Sequence, residues 1–148
     1  MKRKPFIAEH TKKNHMNTAI AVKALIFDQD TVLTIKRRDD DVHKPGAWDI
    51  PGGRLGPGEN PYEGLAREIS EETALAVDIH EPVGVQHFSR DDGQQITMLI
   101  FSCSPKSTAV ALSEEHTAYE WISIEEAKQR LLHYDQEFAT YRKLVNKP

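Results

Sequence analysis

The sequence predicts an α/β sandwich around a mixed β-sheet, and three observations carry that reading. Apolar, β-branched runs of strand length recur along the chain. One helix with marked ends is inserted between them. The last stretch changes to helical spacing. Strands interrupted by a helix and followed by terminal helices imply a sheet covered on both faces. At 148 residues the chain has the length of about one domain, for which roughly 100–200 residues is usual. The expected division is a lead-in over residues 1–16, rich in lysine and poor in apolar side chains, and one domain over 17–148.

The first strand runs from residue 18 to about 27, a turn follows at Asp28-Gln29-Asp30, and a second strand over 31–35 completes a hairpin. Pro45-Gly46 ends a polar loop before the short segment 47–50. Asn60, Pro61 and Glu63 supply a capping side chain, a proline in the first turn and an early acid, so a helix is expected from 61 to about 74. Strands follow within 76–88 and over 95–103, joined by the turn Asp91-Asp92-Gly93. Residues 118–122 form a further strand. Ser123 and Glu126 make a capping box for a helix to about 132. A last helix over 135–145 places Phe138, Tyr141 and Val145 at core spacing.

Composition narrows the function. Hydrophobic residues make up 39% and charged residues 28% of the chain, ordinary values for a folded protein that buries a core. The formal charge of −4 lacks the strongly basic profile that would point to a nucleic-acid polymer. Cys103 is the single cysteine, which leaves no disulfide framework and no thiolate zinc site. No apolar run is long enough for a signal peptide or a membrane span. A reduced, cytoplasmic protein is expected, with no membrane partner, as a monomer or a homodimer.

The chemistry concentrates around the inserted helix. Residues 46–64 hold six of the eight glycines, marking specialised backbone. On a helical wheel Glu72 falls about 40° to one side of Glu68 and Glu71 about 60° to the other, while Leu65, Ile69, Tyr62 and Ala66 form the expected core face. Gly64 lies within the acidic face, where a missing side chain leaves room for an ion, a loop or a ligand. Glu68 and Glu72 repel each other at i,i+4, so the face suits cations, and oxygen-only ligands select hard divalent ions. Mg²⁺ is commonly held by a few carboxylates together with substrate phosphates. The competing reading is a solvated charged face with Arg67 paired to its neighbours. Residues 59–72 carry the whole net charge of −4, and the remainder of the chain is balanced.

Gly53, Glu59, Arg67, Glu68, Glu71 and Glu72, with apolar Ile69 and Leu75, resemble the Nudix box, G-x5-E-x7-R-E-U-x-E-E-x-G-U, U being a bulky apolar residue. The segment reads GRLGPGENPYEGLAREISEETAL. A chance match at its six glycine and ionic positions is on the order of 10⁻⁵ for an average composition. The departure is Ala74 in place of the penultimate glycine, from which a different helix exit is expected. Trp48-Asp49-Ile50-Pro51-Gly52-Gly53 resembles the family's lead-in, and Glu115-His116 with Tyr119 and Trp121 resembles a loop and strand beyond the box.

The resemblance implies a Nudix-type α/β/α sandwich and Mg²⁺-dependent (or Mn²⁺-dependent) hydrolysis of a nucleoside diphosphate linked to X. It implies metal ligation by Glu68, Glu71, Glu72 and the Gly53 carbonyl, with Glu59 and Arg67 supporting the loop and helix. The general base is either a box glutamate such as Glu68 or Glu71, or a loop acid, for which Glu115 is the first choice over Glu114 and Glu120. Arg37, Arg38 and Lys44 are candidate phosphate contacts, and Gly52 and Gly53 line the approach. Trp48 either stacks on a base or belongs to the core. Residues 90–93 lack the proline or tyrosine that marks the ADP-ribose and dinucleoside-polyphosphate branches. The leading substrate is therefore a (d)NTP or oxidised dNTP. The alternatives are an ADP-ribose or nucleotide-sugar pyrophosphatase, and a non-catalytic nucleotide sensor.

Overall fold

In the computed structural model the described residues are 18–147. The expected lead-in over 1–16 lies outside them. Seven strands form one mixed sheet. Strand β1 (Thr18–Asp28) runs parallel to β6 (Gln95–Pro105) and antiparallel to β4 (Gly52–Arg54), while its last residues pair with β2 (Thr31–Arg37). The hairpin is therefore short: only Phe27↔Val32 and Asp28↔Thr31 pair before β1 and β2 part. Strand β2 continues the sheet through β3 (Trp48–Asp49) and β7 (His116–Ser123), and β5 (Val77–Ser89) closes the far edge beside β6. Pro82 sits in that edge strand between two register shifts, where its missing N–H disturbs the ladder least.

Period-two alternation divides β1 between two cores. Val22, Ala24 and Ile26 pack beneath helix α1 (Pro61–Thr73), together with Leu65, Ile69 and Phe101. Ala21, Leu25 and Phe27 face the other way, toward helices α2 (Ile124–Arg130) and α3 (Asp135–Val145), where Ala127, Leu131 and Phe138 are buried. The sheet is thus sandwiched between helical layers, as expected. On β2, Val32, Leu33, Thr34 and Ile35 are all buried, the mark of a strand covered on both faces.

Four local expectations need correction. Helix α2 stops at Arg130 rather than near 132, because Leu131 leaves helical geometry and a 3-10 turn over Leu132–Tyr134 follows. On α3, Val145 is 56% exposed and Leu144 packs on the core instead. On α1, Tyr62 and Ala66 are exposed, and the buried stripe is Gly64, Leu65, Ile69, Glu72 and Thr73. That stripe is rotated toward the carboxylates because the loop carrying Leu55 and Glu59 packs against Gly64.

Ala74 is the fourth correction. The helix exits through the left-handed region although no glycine is present: Ala74 has φ 62° and ψ 14°, and its N–H donates to the Ser70 carbonyl at 2.9 Å. The Thr73 hydroxyl steadies the exit by donating to the Ile69 carbonyl and accepting from the Leu75 N–H. A left-handed conformation costs an L-residue with a Cβ roughly 1–2 kcal/mol, partly offset by the freedom glycine has in the unfolded chain. Ala74→Gly is accordingly expected to raise stability by about 0.5–1 kcal/mol. The check is a higher urea midpoint at unchanged m-value; an unchanged or lower midpoint counts against strain at this position.

Candidate active site

A cavity of about 870 Å³ opens beside α1 and reaches across the sheet to the 3-10 turn, a volume within the usual range for small-molecule sites. Gly53, Glu68, Glu71, Glu72 and Glu115 line one end, with Lys23, Arg37 and Lys44 among them. Of the expected site residues, Arg37, Gly53, Glu68, Glu71, Glu72 and Glu115 therefore share one cavity. Arg38, Trp48, Gly52 and Arg67 are not in its lining. The exposed Arg38 guanidinium is held by both oxygens of Asp40, at 2.9 and 2.8 Å. The partly buried Trp48 ring lies 4.0 Å beneath the Arg130 guanidinium and packs against the core that α2 and α3 cover.

Gly52 acts through Glu72. Its N–H donates to Glu72 Oε1 at 2.9 Å, and its φ of 145° leaves a Cβ no room against the Val22 carbonyl. Gly53 lets the next backbone unit approach Glu68, whose Oε2 would be 2.6 Å from a Cβ there. Two adjacent glycines thus bring the strand against two carboxylates of α1.

Arg67 organises the remaining acids. Its Nε and Nη2 donate to Glu59 at 2.8 and 2.9 Å, its Nη1 reaches Glu68 and Glu71 at 3.2 Å, and Nη2 also meets the Arg54 carbonyl. The Glu59 carboxyl is held well below its ordinary range by the Arg67 hydrogen bond and by the Gly56 N–H. Glu72 behaves oppositely. It is 6% exposed, and burial, reinforced by Glu68 and Glu115, pushes its carboxyl up to about 7 against the opposing pull of Lys23 and the Gly52 N–H. Burial also raises Glu68, with Glu71 and Glu115 adding to the effect and Arg67 opposing it.

Among the described residues no three His, Cys, Asp or Glu side chains form a preassembled metal centre. Arg67 holds Glu68 and Glu71, and the Gly52 N–H holds Glu72. The donors are nevertheless all oxygen, and crowded, partly buried carboxylates are stabilised by a hard divalent cation.

Sequence reasoning missed the network centred on Lys23 and Asp49. Lys23 occupies an inward slot of β1 between Ala21 and Leu25 and is 7% exposed. Its Nζ donates to Asp49 Oδ2 at 3.2 Å and to the Ile50 carbonyl at 3.1 Å. Asp49, 2% exposed, also accepts from the Tyr134 hydroxyl at 2.9 Å and the Ile50 N–H at 2.8 Å, and Arg37 lies 3.6 Å away. Burial alone would raise the Asp49 carboxyl, but Lys23, Lys44, the Ile50 N–H and Arg37 together drive it well below its usual range. The available signal was a lysine at an inward position of an otherwise apolar strand, since lysine is almost never buried unpaired.

The sequence profile of the family described as NUDIX domain matches residues 17–144. A MutT-like protein of Streptomyces ambofaciens is 33% identical over 113 residues, covering 76% of this chain and 69% of that protein. Nucleoside triphosphatase NudI of Escherichia coli is 34% identical over 140 residues, covering 87% and 96%. Among solved structures, the MutT protein of Methanosarcina mazei superposes with a TM-score of 0.77 at 29% identity, over 88% of this chain and 97% of that one.

Proposed function

The chain belongs to the Nudix hydrolase family, enzymes acting on nucleoside diphosphate derivatives, and we propose that it cleaves a nucleoside triphosphate, standard or oxidised, to a monophosphate and pyrophosphate. The observation that carries this reading is the cavity itself: one volume of about 870 Å³ whose lining joins the carboxylates Glu68, Glu71 and Glu72 and the cations Lys23 and Arg37 to apolar Ala21, Ile96 and Met98. The name of the Escherichia coli relative, a nucleoside triphosphatase, supports the substrate class.

Glu68, Glu71, Glu72 and the Gly53 carbonyl would hold Mg²⁺ or Mn²⁺. Bound there, a divalent ion neutralises phosphate charge and lowers the pKa of a coordinated water. The chain supplies the remainder. Two of the three Lys23 N–H groups are taken by Asp49 and Ile50, so the third is free for a phosphate oxygen in the cavity that Lys23 lines. The Arg37 guanidinium adds a second positive group. A water oxygen attacks phosphorus, the anhydride P–O bond breaks, and pyrophosphate leaves with the bond electrons.

Glu115 takes the water proton in this scheme. It lines the cavity with Glu68 and Glu72, whereas Glu120 is paired with Arg130 at 3.1 Å. Glu115→Gln is expected to lower kcat by about 10²–10⁴-fold, the usual contribution of a general base, with little change in KM. Turnover close to wild type would remove Glu115 from the mechanism and return the role to a box glutamate. The substrate class is tested by assaying the purified chain with Mg²⁺ on NTPs, dNTPs, oxidised dGTP, ADP-ribose, nucleotide sugars and dinucleoside polyphosphates. Preferential release of pyrophosphate from a triphosphate is expected. Preference for ADP-ribose or a nucleotide sugar would replace the reading, and binding without turnover of any substrate would favour a sensor.

A further inference from the structure

Beyond the α1 carboxylates the cavity is lined by apolar Ala21, Ile96 and Met98 and by Gln86, His133 and Tyr134, which supply polar atoms. Gln86 Nε2 lies 2.7 Å from the His133 backbone carbonyl and 3.2 Å from Glu137 Oε1. Both partners are acceptors, so only the amide nitrogen can occupy that position and the orientation of the amide is fixed by chemistry. Glu137 is 3% exposed and packs over Gly84, where a Cβ would collide with its carboxylate, so it cannot easily withdraw. Both Gln86 N–H groups are thereby committed inside the protein. Its oxygen has no hydrogen-bond partner among the described residues, and the residue lines the cavity. The Tyr134 hydroxyl is committed in the same sense: its proton goes to Asp49, leaving only acceptor capacity.

We propose that Gln86 is a specificity-determining residue whose side-chain oxygen accepts a hydrogen bond from an N–H group on the base edge of the nucleotide. The assignment rests on the nucleotide reading of the cavity. Any base with an exocyclic amine or a ring imide N–H satisfies the oxygen. A base whose edge N–H groups are replaced by N-methyl groups leaves it buried and unpaired, which is the type of mismatch polar sites discriminate against most strongly.

The test takes the triphosphate the enzyme hydrolyses best, its edge N-methylated analogue and the abasic deoxyribose triphosphate, and compares kcat/KM for wild type and Gln86→Met. Wild type is expected to prefer the N–H base over the methylated one by about 10- to 100-fold, mostly through KM, the span of one satisfied against one lost hydrogen bond. In Gln86→Met that ratio should fall toward one, and the ratio of base-bearing to abasic substrate should fall while staying above one, because Ala21, Ile96 and Met98 remain. A wild-type ratio near one overturns the proposal, and this comparison requires no variant to fold. Equal loss on all three substrates in Gln86→Met overturns it in favour of a structural role for the amide. Failure of wild type to hydrolyse any triphosphate overturns the nucleotide reading and the assignment with it, and differs visibly from turnover that ignores the base.

Discussion

Glu72→Gln is expected to lower turnover by about 10²-fold or more, the scale on which single charged or hydrogen-bonding groups at such sites act, while leaving the fold intact. The amide oxygen can still accept the Gly52 N–H that now meets Glu72 Oε1 at 2.9 Å, so the contact between strand and helix survives. What disappears is a negative charge opposed by burial, by Glu68 and by Glu115. In a chelator-treated sample the variant should therefore melt at or above the wild-type temperature, and the wild type should gain more from added Mg²⁺ by mass action. Loss of function accompanied by gain of apo stability is the pattern expected where a site stores unfavourable charge for a ligand. A variant with wild-type kcat/KM would exclude Glu72 from metal binding. One that melts far lower would mean that its charge serves the fold.

Lys23→Met should be the most destabilising change of a single charge. It leaves Asp49, 2% exposed, with the Tyr134 hydroxyl, the Ile50 N–H and a more distant Arg37. Removing one partner of a buried ion pair costs about 3–5 kcal/mol, a fall in Tm on the order of 10 °C for a chain of this length. The wild-type pair is no proof of net stabilisation, since isosteric apolar replacements of both partners are often neutral. Lys23→Met combined with Asp49→Leu should accordingly recover part of the lost stability without recovering activity. Urea denaturation of the two variants separates the outcomes, and a Lys23→Met loss below about 1 kcal/mol would show that the partners remaining to Asp49 suffice to hold its charge.

The layers of this fold were legible because period and punctuation agree. The alternation along β1, the Asn60-Pro61 start of α1 and the Ser123 cap of α2 each have a local cause, and each appears in the structure. The acidic end of the cavity was legible for a different reason, since three carboxylates on one helical face are contiguous in sequence. The Lys23 network was not. Lys23, Asp49 and Tyr134 come from three separate segments, and although a lysine in an inward slot of β1 signals a buried partner, the linear chain does not say which acid it meets. The rotation of α1 was hidden too, because it depends on how Leu55 and Glu59 pack against Gly64. At Ala74 a local rule was overridden: the chain needed the left-handed turn to bring Leu75 into the core, and tertiary packing outweighed the preference for glycine.

The hydroxyl of Tyr134 on Asp49 also bears on the order in which the protein can mature. During synthesis from the N-terminus, Lys23 and the whole of α1 emerge before the 3-10 turn that carries Tyr134 and the His133 carbonyl. Until that turn docks, the cavity lacks the wall formed by His133 and Tyr134, and the Gln86 amide lacks the His133 carbonyl. A nascent chain that had already packed α1 against the sheet would hold the carboxylates of the cavity without the contacts that fix Gln86. On the proposed assignment, selection of the base would then be acquired only once the last helices settle.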